Sequence, residues 1–446
     1  MSDRRTVAIW TLPETGHLNP TLRLADTLVS RGHRVVYVAP AMIRPTIEAA
    51  GHEVTSWFDE WYDDEWQRRI TEGGTLDRRR AITERYGRIA AELGRRGAAP
   101  ILGDIAPDVL VADVQEPLLA LVAARDGLPI VVMNTSLPQT RDPGVPPTRG
   151  SVGLQAEGHR RLDPRLAWWL FRTKRTASAL AARALGAEPP YASTTRFARS
   201  LGLPRDTLDP WTVYYPQLDG RPELVLCPAA FDVARAPRPL RYYVESERRG
   251  SVPPLPDGLL PPGDGPLVYC SLGTRAYRTD RTPALFRAVL DAVAARPERR
   301  LVLSLGQHLT PDQLGSLPAN VTAHRSVPQL AVLDHAAAMV THGGLGTVKE
   351  CVLAGVRMLV VPLSHDQHAN AALVERHGLG SVADLDSLTG ASIERQLDDL
   401  LASSAIDEAI GTMQRRFRAV EDDDLGADVV AAVATGAALP PNPGRR

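Results

Sequence analysis

Short, continuously apolar runs alternate along this chain with stretches whose apolar residues recur at helical spacing. Thr6–Leu12 and Val35–Ala39 read as strands, with a helix over Leu22–Arg31 between them. Val109–Val114 and Pro129–Asn134 repeat the unit around an Ala/Leu-rich helix at Pro117–Arg125. The runs are continuous and not alternating, so the strands are expected to be covered on both faces, as in a parallel sheet. The rhythm restarts at Leu267–Leu272, Leu301–Leu305, Val321–His324, Ala338–Thr341, Met358–Leu363 and Gly380–Ala383. Between Cys227 and Leu267, nine prolines with Gly258, Gly263 and Gly265 leave little room for a regular element. The expected division is a Rossmann-like domain at 1–226, a Pro-rich linker at 227–266, a second Rossmann-like domain at 267–420, and a C-terminal helix with a disordered tail at 421–446. Two doubly wound α/β domains facing across a cleft bind ligands at the carboxyl ends of their strands.

The 446 residues are enough for two or three domains, and 44% apolar with 23% charged residues excludes a disordered or fibrous chain. A formal net charge of −1 gives no pull toward nucleic acid or an anionic membrane surface. Of the 51 basic residues only Lys174 and Lys349 are lysines, a bias of coding and not of function. Cys227, Cys270 and Cys351 lie far apart among apolar neighbours, which reads as reduced core thiols and not a disulfide framework or metal site. No signal-like or membrane-spanning apolar segment is evident, so a cytoplasmic protein is expected.

Two stretches break the rhythm. Trp57–Trp66 crowds five aromatics among acids within ten positions, and Gly158–Leu185 is rich in arginine, alanine and leucine around Trp168 and Trp169. Each is open to two readings, a lid or pocket element or an amphipathic helix docked on its domain; docking is preferred for the arginine segment.

Candidate chemistry gathers at strand ends. After the first strand comes Leu12-Pro13-Glu14-Thr15-Gly16-His17-Leu18-Asn19-Pro20, where Asn19 and Pro20 fit an N-cap and first helical residue. His17 is not needed for that cap. Its place at the cleft leaves it open between a general base and an incidental loop histidine. Asp113 ends another strand; if strands one and four are neighbours, its carboxylate reaches the imidazole and fixes its tautomer.

The densest segment is Thr341–Asn370, where a strand runs into glycines 343, 344 and 346 and a helix begins near Thr347. Such a turn lets backbone approach a phosphate, but it matches neither a Walker loop nor the dinucleotide fingerprint. Structural roles compete: Thr347 and Glu350 have capping-box spacing, and Asp366 suits a cap for a helix near His368. Asp384-Leu385-Asp386 and Asp422-Asp423-Asp424 satisfy a metal-binding Asp-x-Asp pattern only as a strand-end loop and a solvated acidic run.

The segment from Val327-Pro328-Gln329 through His342-Gly343-Gly344, Gly346-Thr347, Glu350, Gly355, Pro362, Asp366-Gln367 and Asn370 resembles the donor-binding motif of the family-1 nucleotide-sugar glycosyltransferases. About 45 residues match in register. Gly16-His17-Leu18-Asn19-Pro20 is similar to that family's N-terminal motif, and Asp113 falls at its second catalytic position. The resemblance implies a GT-B fold, with acceptor in the first domain and nucleotide-sugar donor in the second. It also implies inverting, metal-independent transfer of a hexose, with His17 as base and Asp113 holding it. Val327 and Gln329 would read the nucleotide, and Glu350 the ribose. His342, the amides of Gly344 to Val348 including Gly346, Thr347 and Thr274 would hold the diphosphate. Asp366 and Gln367 would bind the hexose. Ser326 stands where much of the family has an aromatic that stacks on the pyrimidine, leaving uridine and thymidine donors both open. Arg357 replaces a common proline, a structural change.

On this reading the partners are a UDP- or dTDP-sugar and a small, largely apolar acceptor, suited to segments 55–100 and 136–200; no cofactor is expected beyond the donor. A nucleotide-sugar epimerase on the same fold and a non-catalytic nucleotide-sugar binder compete. The Gly-His motif and the acceptor-like inserts favour transfer over the first, and retention of His17 and Asp113 speaks against the second. A pyridoxal-phosphate phosphorylase is disfavoured because only two lysines exist.

Overall fold

The computed structural model describes residues 4–62, 64–71, 73–148, 162–246, 252, 254–273, 281–306 and 309–442. Among the described residues, nine strands lie before the crossover to the second half: β1 (Thr6–Trp10), β2 (Arg34–Ala39), β3 (Glu53–Ser56), β4 (Val109–Asp113), β5 (Ile130–Asn134), β6 (Leu208–Asp209), β7 (Gln217–Leu218), β8 (Glu223–Val225) and β9 (Arg241–Tyr243). Seven form one sheet in the order β3-β2-β1-β4-β5-β8-β9, all pairs parallel, while β6 and β7 make a small antiparallel ribbon. Then come β10 (Leu267–Ser271), β11 (Arg300–Ser304), β12 (Val321–His324), β13 (Ala338–Thr341), β14 (Arg357–Val360) and β15 (Gly380–Val382), in the parallel order β12-β11-β10-β13-β14-β15. These are two doubly wound α/β domains. β4 and β5 are buried at every position because helices cover both sheet faces, which is what their unbroken apolar runs require.

Two expectations need correction. The span 227–266 is not all linker: β9 pairs with β8 at the edge of the first sheet, its Arg241 held by the Glu223 carboxylate at 2.7 Å. That strand hides among prolines because a three-residue run carries no period. The helix expected within 421–446 is Leu425–Thr435, and its Leu425, Val429 and Val430 pack into the first domain's core with Val7, Leu22 and Val131. The first helix starts at Thr15, not after Asn19, so Pro20 lies inside it. At the sixth helical position Pro20 removes the amide that would donate to the Gly16 carbonyl, so the helix begins with one hydrogen bond fewer. Residues 443–446 of the tail, residues 158–161 of the arginine segment and Thr274 lie outside the described residues.

The chain therefore crosses between domains twice, and a buried polar network joins the crossings. Lys349 Nζ donates to the Leu226 carbonyl at 3.0 Å and the Ser246 hydroxyl at 2.6 Å. The Ser246 amide donates to Glu421 at 3.1 Å, and the Gly426 amide to Glu245 at 3.2 Å. Burial pushes the Glu245 carboxyl up to about 7, against a smaller downward pull from its backbone donors and Arg23. The folded chain thus holds this proton more tightly than the unfolded one, so the resulting stability is full at low pH and is lost as pH rises toward 7. The cost at pH 8 is on the order of 3 kcal/mol. Glu245→Gln keeps an acceptor for Gly426 and is expected to raise Tm clearly at pH 8 and little at pH 5. Thermal unfolding by circular dichroism at both values checks this, and equal shifts contradict it.

Candidate active site

In both sheets the strand order reverses once, between β1 and β4 and between β10 and β13, and the candidate residues stand at these two switch points. His17 lies in the first turn of helix Thr15–Ser30, whose start follows β1 through four residues. β4 is hydrogen-bonded to β1 with Trp10 opposite Ala112, so the next residue, Asp113, faces the loop that carries His17. Its Oδ2 is 2.6 Å from His17 Nδ1. The other oxygen, Oδ1, accepts from the Gln115 amide at 2.8 Å, which fixes the carboxylate plane. Asp113 is 1% exposed. Thr135, just past β5, places its hydroxyl 2.8 Å from the same Nδ1. With Nδ1 engaged twice, Nε2 is the ring nitrogen left for chemistry. Burial alone would depress the His17 pKa; attraction to Asp113 and their hydrogen bond outweigh it, with Asp366 and Glu116 adding, so it sits above its ordinary 6.5.

The second wall is built around glycines. β13 leads through His342 and Gly343 into helix Leu345–Ala354, whose N-cap is Gly344 without any side-chain cap. Its first amides are therefore not claimed by a capping side chain. A Cβ on Gly344 would sit 2.7 Å from His342 Nε2, and one on Gly273 would sit 2.5 Å from its Cε1. The ring is slotted between two glycines. Gly273 also has φ +70°, a second reason for that residue. Burial lowers the His342 pKa to about 4, so at neutral pH the ring offers one N–H and no charge. Its Nδ1 is buried without a hydrogen-bond partner.

The helix starts two residues before the expected Thr347, so the Thr347–Glu350 capping box does not form. Instead Gln329 Nε2 donates to Glu350 Oε2 and lies 3.4 Å from Thr347 Oγ1, while the Tyr269 hydroxyl donates to Gln329 Oε1 at 3.1 Å. These side chains meet at one place although 21 residues separate Gln329 from Glu350. Val327 packs against the second domain's core just before them. Asp366 precedes helix Gln367–Arg376 but makes no cap with its side chain. Gln367 is buried and partly committed: its Oε1 accepts from the Leu363 and Ser364 amides at 2.8 and 2.9 Å. Asn370 donates to the Gly343 carbonyl at 2.9 Å and ties the glycine turn to this helix. Between them His365 adopts φ +58°, a conformation costly for a non-glycine residue.

The two walls face each other, since Asp366 of the second domain is near enough to raise the pKa of His17 in the first. Gly346 lies in the first turn of the same helix as Thr347 and Glu350. Sequence reasoning missed Thr135, Glu116 and the bridging role of Lys349; each depends on the fold and leaves no spacing signal. Among the described residues no group of three or more His, Cys, Asp or Glu could hold a metal. Asp386 pairs with Arg281 and Asp424 with Arg23. The three cysteines are buried and form no disulfide among the described residues. No helix among the described residues is long and apolar enough to cross a membrane.

Two facing Rossmann-like domains with a histidine–carboxylate dyad on one wall and a glycine-rich helix start on the other define a GT-B enzyme. The model of the UDP-glucoronosyl and UDP-glucosyl transferase family matches residues 256–418. The chain is 26% identical over 446 residues to the oleandomycin glycosyltransferase of Streptomyces antibioticus, covering 96% of this chain and 90% of that protein. It is 28% identical to the 4'-demethylrebeccamycin synthase of Lentzea aerocolonigenes, covering 84% and 86%. Among solved structures, the calicheamicin glycosyltransferase CalG4 superposes with TM-score 0.68 at 28% identity, covering 97% of this chain and 99% of that one. Over residues 256–418 the chain thus resembles the UDP-glucoronosyl and UDP-glucosyl transferase family, and over nearly its whole length it is similar to antibiotic glycosyltransferases.

Gly344 has an ordinary helix-entry φ of −61°, so alanine there strains no backbone and acts only through the His342 ring. Gly344→Ala is expected to weaken UDP binding about tenfold, or 1.4 kcal/mol, with Tm little changed. Isothermal titration checks this; an unaltered Kd contradicts the slotted-ring account.

Proposed function

We propose that the enzyme moves a hexose from a UDP- or dTDP-sugar to a hydroxyl of a small, largely apolar natural-product acceptor, with inversion and without a divalent metal, in the cytoplasm. The observation that carries this reading is the His17–Asp113 contact of 2.6 Å on the wall opposite the glycine-rich helix start. His17 Nε2 takes the acceptor proton as the acceptor oxygen bonds to the anomeric carbon and the bond from that carbon to the diphosphate oxygen breaks. Asp113 stabilises the imidazolium. The departing diphosphate meets the amides after Gly344, with the His342 N–H and Thr347 beside them. Helix-start donors of this kind supply electrostatic stabilisation without a cation. The Gln329–Glu350 pair receives the nucleoside with the Val327 backbone, and Asp366 with the Gln367 amide receives the hexose.

A cavity of about 480 Å³ in the first domain supports transfer over epimerisation, because an acceptor needs room that a donor alone does not. Its lining combines Ile82, Phe171, Tyr191, Tyr214 and Tyr215 with the charged Arg175, a size and surface suited to a ring system carrying polar groups. The arginine segment thus furnishes a pocket wall, where a docking role alone was preferred. The relatives' names, an oleandomycin glycosyltransferase and a demethylrebeccamycin synthase, point the same way.

His17→Ala is expected to lower kcat at least about 100-fold while leaving the Kd for UDP unchanged. Transfer from UDP-glucose and dTDP-glucose to 4-methylumbelliferone, with and without EDTA, is the assay; an unchanged kcat rejects the base, and loss of activity in EDTA rejects metal independence. Because the base works unprotonated and its pKa is raised, kcat/KM should fall as pH drops through a midpoint above 6.5. A midpoint below 6.5 contradicts the assignment. Asp366→Ala should raise the donor KM, and equal kinetics would refute the hexose contact.

A further inference from the structure

The cavity of the first domain carries a charge pattern that the transfer described above does not use. Phe171, Lys174, Arg175, Ser178 and Ala182 line it from helix Pro164–Ala184 at i, i+3, i+4, i+7 and i+11, the period that keeps side chains on one helix face. Arg79 and Ile82, at i and i+3 of helix Thr75–Arg96, line it too. Its lining carboxylate, Glu188, is already neutralised: it pairs with Arg183 at 2.9 Å and with Arg196, and accepts from the Ser193 hydroxyl at 2.9 Å. Arg175 is committed as well, donating to the Thr212 and Tyr214 carbonyls with its guanidinium 3.6 Å from the centre of the Tyr191 ring. Arg79 and Lys174 differ. Both are exposed, and among the described residues no carboxylate or carbonyl holds either head group. The Trp57–Trp66 segment does not line this space; its Trp57, Phe58, Tyr62 and Trp66 pack on the first domain's core, so it is a docked element and not a lid. On one side the cavity reaches the second domain, where the Tyr214 ring lies 6.2 Å from that of His365, the residue before Asp366.

We propose that the acceptor held in this cavity carries an anionic group, such as a carboxylate, on its apolar ring system, and that Arg79 and Lys174 are the specificity-determining residues that recognise it. That the occupant is the acceptor rests on the transfer reading above; the anion site does not. Like charges around one largely apolar cavity repel each other, and low-dielectric walls strengthen both that repulsion and the attraction for an anion. An anion between Arg79 and Lys174 relieves the first and uses the second. Because both head groups keep contact with water, the anion gives up only part of its hydration, and the gain escapes the full desolvation cost of a buried pair. An ammonium and a guanidinium offer donors alone, which suits a carboxylate and excludes a cationic amine. The apolar and aromatic residues between them hold the ring system, and the contact of Tyr214 with His365 brings its far end beside the residue proposed to hold the hexose.

The test needs no donor. Its probes are 1-anilinonaphthalene-8-sulfonate and N-phenyl-1-naphthylamine, one ring system with and without an anionic group, titrated into the full chain and followed by fluorescence. The sulfonate is expected to bind about tenfold more tightly at low salt, the worth of one or two partly exposed charge pairs. The margin should shrink as salt is raised. In the Arg79→Met/Lys174→Met double variant the two dissociation constants should converge, whereas Arg79→Lys/Lys174→Arg, which keeps both charges, should preserve the difference. Ser178→Trp, which fills the cavity, should weaken both probes. Equal constants in the native protein overturn the proposal, as does saturable binding of neither probe. A preference that persists in the double methionine variant, or survives Ser178→Trp, overturns the assignment to these residues and this cavity. If the preference holds while the transfer assay yields no glycoside, the acceptor reading falls and the anion site stands.

Discussion

In a parallel sheet all strands deliver their carboxyl ends to one edge, and where the strand order reverses the flanking connections leave on opposite faces, opening a crevice between them. That constraint acts twice in this chain. It puts His17 and Asp113 at the reversal between β1 and β4, and Gly273 and His342 at the reversal between β10 and β13. Because β1 and β4 are hydrogen-bonded neighbours, a histidine and an aspartate 96 residues apart come within 2.6 Å without a special loop. The buried apolar strands are what hold this register, so the chemistry of the first wall depends on packing at some distance from it.

The two walls differ in charge, and the difference suits their tasks. Around His17 the structure gathers Asp113, Glu116 and Asp366, which favour a proton arriving on the imidazole. Around His342 it gathers glycines and apolar burial, which hold that ring neutral and leave an uncapped helix start beside it. One histidine is therefore prepared to gain a proton and the other to lend a hydrogen bond. On the proposed reading, the diphosphate meets amide dipoles and the reacting hydroxyl meets a base. Lys349 extends the second wall: it is on the same helix as Thr347 and Glu350, and its ammonium is spent on Leu226 and Ser246 at the crossing between domains. The helix proposed to receive the donor is thus fastened to that crossing.

Much of this was legible in the sequence, because buried parallel strands write continuous apolar runs. β12 and β13 were placed to the residue and β1, β4, β10 and β11 to within two. That Asp113 reaches His17 was legible from the strand order and from the family motif, whereas the contact among Gln329, Thr347 and Glu350 was not read in advance, because only separate ligand roles were expected of them. What escaped was short or non-local. β9 has three residues among prolines, and the final helix returns to the first domain through contacts that only the tertiary fold creates. Helix starts were misjudged because Asn19 and Thr347 look like caps locally, whereas the helices begin at Thr15 and Leu345. Thr135 carries no spacing signal; it is a threonine like many others until the sheet brings it to His17.

The central claim is a single displacement in which His17 serves a nucleophilic acceptor on one face of the sugar while the diphosphate leaves from the other. The configuration of the product reports on this directly. Proton NMR of the glycoside formed from α-linked UDP-glucose and 4-methylumbelliferone should show the β-anomer alone. An α-glycoside would contradict the account, because retention needs a second displacement or a same-face attack that this arrangement of His17 and the donor helix does not provide.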